Sequence, residues 1–238
     1  SLTVNAVRGR GSVICHVGAV DLRTAVDLAR QASDAGVDAI SSVPPFFYGY
    51  GEREIIQYYQ ALAEASRVPM LIYASPLAGT PITPALVNKL MQIKNIIGLK
   101  WTSPNYYEMR LIKELNNGDI NVINGPDETL LCGLAMGADG GIGSTYNAVP
   151  GLYVGIYNDF CAGRIREAQN GQYKADRLIR ILLRHGVING VKDMLTGMGF
   201  DVGFCTYPLK RFTKPEQDAF RAELKTLPFI AMPEKPQT

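Results

Sequence analysis

The chain has 238 residues, of which 47% are hydrophobic and 19% charged, with Gly 24 and Pro 14. That composition describes a soluble globular protein with a large core and excludes disorder, a collagen-like rod and a disulfide-stapled mini-protein. Lys and Arg outnumber Asp and Glu by only 24 to 22, with no basic run or basic helical face, so nucleic acid is excluded as a partner. In chain order, six short β-branched apolar runs read as strands: Ser12–Val17, Ala39–Val43, Met70–Ala74, Ile96–Trp101, Asn121–Asn124 and Gly140–Ser144. Helical spacing fills the gaps between them, at Asp21–Ala35, Glu52–Ser66, Pro84–Ile93, Asn105–Leu115 and Asp127–Met136. Beyond the sixth run only helices follow, at Val149–Ala162, Ile165–Arg184, Asn189–Met198 and Lys214–Leu224, and the polar tail from Met232 is expected to fray.

Alternating strands and helices predict the α/β class with a parallel sheet. An open doubly wound sheet would place a Gly-rich phosphate loop after an early strand; G-x-G-x-x-G is absent, and Gly9 and Gly11 precede a strand instead. The expected fold is therefore a (β/α)8 TIM barrel with C-terminal helices. Six runs against the eight a barrel needs imply that its first two βα units are not in this chain. At about 30 residues per unit, roughly 60 residues are expected before Ser1. Residues 1–148 would form strands three to eight, and 149–238 a helical appendage of the same domain.

The four cysteines, Cys15, Cys132, Cys161 and Cys205, lack C-x-x-C spacing and read as reduced packing residues of a cytoplasmic protein. The two histidines, His16 and His185, cannot build an imidazole-rich zinc site and read as packing residues too. No metal is expected. The uncharged stretch Val68–Asn88 contains Pro69, Pro76, Pro81 and Pro84, so it is no membrane-spanning helix, and no signal peptide opens the chain.

In a barrel of this kind the polar residues at the C-terminal ends of strands face the site. Lys100 stands in the apolar run Ile96-Ile97-Gly98-Leu99, and a lysine buried there is expected to lose its proton readily and attack a carbonyl as a Schiff-base nucleophile. Tyr73, ending the preceding strand, is either core packing or a proton shuttle for that amine. Asp127 and Glu128 either charge the start of a helix or accept hydrogen bonds from a polyhydroxylated substrate. The run Gly137 to Thr145 could cradle phosphate, but no basic residue follows it, and its small residues suit close approach of substrate to the backbone.

The elements Ile72-Tyr73-Ala74-Ser75-Pro76, Gly98-Leu99-Lys100-Trp101-Thr102-Ser103 and Gly137-Ala138-Asp139-Gly140-Gly141-Ile142-Gly143-Ser144-Thr145-Tyr146-Asn147 resemble the pyruvate-dependent class I aldolases, the family of N-acetylneuraminate lyase and dihydrodipicolinate synthase. The likeness runs from about Gly11 to Lys210, and the last element is closest to the sialic-acid branch. The resemblance implies a lyase that cleaves a sugar acid to pyruvate through a Schiff base at Lys100, with Tyr73 relaying protons and no cofactor. It further implies substrate contacts from Thr102, Tyr107, Gly125, Asp127, Glu128, Gly143 and Ser144, and a homotetramer with no membrane partner. Alternatives are another pyruvate aldolase acting on a 2-keto-3-deoxy sugar acid, the lysine-pathway synthase, or a non-catalytic sugar-binding relative. The segment Pro76-Leu77-Ala78-Gly79-Thr80 lacks the arginine typical of the synthases. Phe47, with Tyr48 beside it, stands where relatives carry an inter-subunit tyrosine, and the family's carboxylate-gripping loop has no counterpart.

Overall fold

Strand and helix alternate along the chain because β-branched runs too short for helices are punctuated by capped amphipathic segments. The computed structural model describes residues 2–76 and 78–230; the tail from Met232 and Leu77 lie outside the described residues. The strands are β1 (Ile14–His16), β2 (Ala39–Ser42), β3 (Met70–Ala74), β4 (Ile96–Trp101), β5 (Asn121–Asn124) and β6 (Gly140–Gly141). They form one sheet in the order β1-β2-β3-β4-β5-β6, and β1 to β5 pair in parallel with their neighbours. The helices are α1 (Leu2–Val7), α2 (Leu22–Asp34), α3 (Glu52–Ala65), α4 (Pro84–Leu90), α5 (Tyr106–Lys113), α6 (Leu130–Ala135), α7 (Pro150–Cys161), α8 (Ile165–His185), α9 (Val187–Gly197) and α10 (Lys214–Leu224).

Local chemistry sets most of these boundaries. The Asp21 carboxylate accepts the Thr24 N–H at 2.9 Å and starts α2. Thr83 does the same for α4, which has proline in its first turn. The expected first strand is shorter than Ser12–Val17, since the Val13 N–H goes to the Asp38 carboxylate at 2.7 Å. The expected sixth strand shrinks to two residues. The chain turns after it into a 3-10 turn, Thr145–Asn147, whose Thr145 N–H donates to Asp127 Oδ2 at 2.8 Å. The helix expected from Asp127 opens as a 3-10 turn, Asp127–Thr129. Asn116 and Asn117, with φ of 51° and 56°, end the region expected to be helical to Leu115. α1 has no counterpart among the expected elements.

The chain divides into two compact units, Ser1–Pro126 with Ala135–Gly140, and Asp127–Leu134 with Gly141–Thr238. In the first, Ile40, Met70, Ile72, Leu99 and Val122 are fully buried among Ile55, Tyr59, Leu62, Leu90, Met109 and Ile112 of the helices. Asp139 staples this unit: its Oδ2 accepts the Val122 N–H at 2.8 Å, and Lys113 Nζ binds both its oxygens at 2.8 Å. In the second unit, Leu178, Leu182, Met194, Phe220 and Leu224 make one cluster, and Leu130, Leu134, Tyr153, Ile156 and Ala175 another.

Two of the cysteines expected to pack do not. Cys132 and Cys161 are exposed: α6 buries Leu130, Gly133 and Leu134 instead of Cys132, and Cys161 is the last residue of α7. Cys205 is buried, its Sγ 2.7 Å from Asn189 Oδ1. His185 is paired, with Nε2 2.8 Å from Glu223 Oε1.

Candidate active site

The alternation of side chains along each strand divides the sheet into a packing face and a chemical face. Ile40, Ser42, Ile72, Ala74, Leu99, Trp101, Val122 and Asn124 are aligned on one face, and all are buried. The opposite parity carries His16, Ser41, Leu71, Tyr73, Lys100 and Ile123, of which Leu71 alone is buried. Tyr73 is register-paired with Lys100. Lys100 Nζ stands 3.3 Å from the Tyr73 hydroxyl and 4.4 Å from the centre of its ring. Lys100 is half-buried, not sequestered as expected, because it lies on the face the helices leave open.

His16 joins this pair. Its ring meets that of Tyr73 edge-on, with centroids 5.9 Å apart and planes at 89°. Desolvation by its neighbours, and then the charge of Lys100, lower its pKa below the ordinary 6.5. His16 is exposed and not packed as expected, and only strand register reveals that it shares a face with Tyr73.

Just past the end of β4, Thr102 donates its N–H to the Ala74 carbonyl at 2.9 Å. Its Oγ1 is buried and has no hydrogen-bond partner among the described residues. An orphaned buried hydroxyl costs about 1–3 kcal/mol. Gly125 closes against it: a Cβ at Gly125 would lie 2.0 Å from Thr102 Oγ1. A cleft of about 280 Å³ opens beside these strand ends, lined by Ala74, Ser75, Thr80, Trp101, Thr102 and Glu108 among others. Tyr107, in the first turn of α5, is 70% exposed and does not line this cleft. Phe47 and Tyr48 are also exposed, their rings packed edge-on at 4.8 Å.

The remaining candidates belong to the second unit. Asp127 is buried, and its Oδ2 accepts both the N–H and the hydroxyl of Thr145, at 2.8 and 2.5 Å. Thr145 Oγ1 also bonds the Tyr153 hydroxyl at 2.5 Å, and Tyr153's pKa is raised, mainly by burial. Gln172 Nε2 donates to the Asp127 carbonyl at 3.2 Å. Asp127, at the start of its 3-10 turn, is thus also a buried brace for the Ser144–Thr145 turn. Gly143 is required beside it, because a Cβ there would fall 1.6 Å from Asp127 Oδ1. Glu128 and Ser144 are exposed, and the Ser144 carbonyl accepts Asn147 Nδ2 at 2.9 Å. Among the described residues no group of three or more His, Cys, Asp or Glu side chains could hold a metal ion, and no helix is long and apolar enough to cross a membrane.

Residues 1–227 match the dihydrodipicolinate synthetase family. The chain belongs to that family. A relative within it, the N-acetylneuraminate lyase of Rhizobium meliloti, is 37% identical over 216 residues, covering 91% of this chain and 72% of its own. Two solved structures are similar at low identity. The N-acetylneuraminate lyase of Proteus mirabilis superposes with a TM-score of 0.89 at 28% identity, over 95% of this chain and 78% of that one. CdNal of Clostridium difficile, solved with mannosamine, gives 0.91 at 29% identity over the same shares. The six strands and their helices correspond to part of the family's (β/α) barrel.

Proposed function

We propose that this protein is a sialic acid lyase, cleaving N-acetylneuraminate reversibly to N-acetylmannosamine and pyruvate. The observation that carries the reading is Lys100 Nζ at 3.3 Å from the Tyr73 hydroxyl on the open face of a parallel sheet, in a chain 37% identical to a lyase of that name. The amine of Lys100 adds to the keto carbon of the open-chain sugar and, with loss of water, forms an iminium. The hydroxyl on the fourth carbon gives up its proton to Tyr73, which passes its own to the substrate carboxylate. The bond between the third and fourth carbons then breaks, its electron pair entering the iminium to give a neutral enamine while the aldehyde of N-acetylmannosamine departs. Protonation of the enamine and hydrolysis release pyruvate and the free lysine.

Thr102, Gly125, Tyr107, Asp127, Glu128, Gly143 and Ser144 are proposed to serve the sugar. The Thr102 hydroxyl, without a partner among the described residues, and the exposure of Glu128 and Ser144 support direct contacts. Asp127 and Gly143 serve it by shaping the Ser144–Thr145 turn. The chemistry needs no cofactor beyond the covalent imine, and the protein works as a cytoplasmic homotetramer in this reading. Borohydride reduction with pyruvate present is expected to leave a three-carbon adduct on Lys100; an adduct on another lysine, or none, overturns the assignment. Assays of pyruvate release from N-acetylneuraminate and from 2-keto-3-deoxy sugar acids, and of pyruvate condensation with aspartate semialdehyde, are expected to favour the first. Saturable sugar binding without pyruvate release would make the protein a binding relative instead.

A further inference from the structure

We infer that His16 is a positioning residue for Tyr73, its ring backing the phenol so that the hydroxyl stays on Lys100. The inference rests on the reading of Lys100 as the Schiff-base lysine. His16 is aligned with Ser41 in the neighbouring strand, and Ser41 with Leu71 in the next, so His16 and Tyr73 share a face across β2. The short side chain of Ser41 leaves room for the two rings to meet, edge-on at 5.9 Å.

Two further features hold the imidazole in place. Its Nε2 accepts the Val43 N–H at 3.3 Å, so that nitrogen carries no proton and the ring is the neutral form protonated at Nδ1. Gly18 supplies the space: a Cβ there would come within 2.7 Å of His16 Cε1 and 3.0 Å of both His16 Nε2 and Val43 Cγ2. A neutral ring suits its neighbour, since a second cation beside Lys100 would oppose the positive iminium. Sub-ångström control of a proton donor matters, because a misplacement of about 1 Å can cost about a hundredfold in rate.

The test compares His16→Ala, His16→Phe and Gly18→Ala for melting temperature, steady-state kinetics and rate of borohydride trapping with pyruvate. His16→Ala is expected to trap about tenfold more slowly and to lose kcat to a similar degree, with KM for sialic acid nearly unchanged. His16→Phe, which keeps a flat wall, is expected to recover most of that loss. Gly18→Ala, which pushes the ring away, is expected to copy His16→Ala and to add nothing on top of it. Normal trapping and kcat in His16→Ala overturn the inference, as do equal defects in His16→Ala and His16→Phe or additive effects of His16→Ala and Gly18→Ala. Should His16→Ala not fold, the contrast between His16→Phe and Gly18→Ala decides by the same criterion. Unlabelled Lys100 in the unsubstituted chain removes the lyase reading and this inference with it, whereas labelled Lys100 with insensitive His16 variants removes this inference alone.

Discussion

Lys100 and Tyr73 owe their chemistry to being paired across β3 and β4, where the side chains point away from the helices. Lys100→Met is expected to abolish borohydride labelling and pyruvate release while leaving the melting temperature within a few degrees, because among the described residues the amine bonds only the Tyr73 hydroxyl. Tyr73→Phe is expected still to be labelled at Lys100, though at least tenfold more slowly, and to lose about 10²–10⁴ in kcat, the usual weight of a positioned proton donor. The acidic pair separates by stability. Asp127→Ala strands the N–H of Thr145 in the interior, leaving its hydroxyl only Tyr153, and is expected to cost about 1–3 kcal/mol, read by denaturant unfolding. Glu128→Ala removes an exposed carboxylate and is expected to unfold normally while sugar kinetics weaken. Equal stability of the two variants would return Asp127 to a purely ligand-binding role. Their adjacency hid this difference from sequence reasoning, since burial of one and exposure of the other depend on a threonine 18 residues away.

Glycine positions decide whether the strands can meet at all. A Cβ at Gly98 would lie 2.0 Å from the Asn121 carbonyl oxygen in β5, so Gly98→Ala has to part β4 from β5 or break their pairing. Overpacking of that kind costs about 1–3 kcal/mol, and lysine labelling is expected to fall with it, since Lys100 is two residues along. α10 shows a different sensitivity. Lys210 first, then the N–H and hydroxyl of Thr213, hold the Glu216 carboxyl down to about 2 from its ordinary 4.5. A depressed carboxylate pKa contributes stability that is present above pH 4.5 and disappears as pH falls toward 2. Glu216→Gln is expected to flatten the melting temperature across that window, and an unchanged acid limb would show the exposed pair to be screened into irrelevance. Of the elements, β3, β4, β5 and α10 have the bounds that apolar runs and caps predict. The sixth does not: it stops at Gly141, and the turn that follows is tied to Asp127 through the Thr145 N–H, a contact across 18 residues that no local pattern records.

At the scale of the whole molecule the lyase reading predicts a tetramer, which light scattering on the purified protein measures directly; a monomer that cleaves sialic acid would make assembly unnecessary for the chemistry. The sequence by itself determined the α/β class, the order of strands and helices, the family and the lysine–tyrosine pair. Those features are written in local periodicity, in turn residues and in short motifs, each legible within a few positions. Tertiary structure alone decided that Lys100 is half-buried, that Asp127 is a brace, that the Thr102 hydroxyl has no partner among the described residues and that the His16 ring meets Tyr73 edge-on. Each of these depends on strand register or on contacts between residues far apart in the chain. A shift of one residue in register turns every side chain of a strand to the other face, so the identity of a residue cannot say what it touches until the strands have paired.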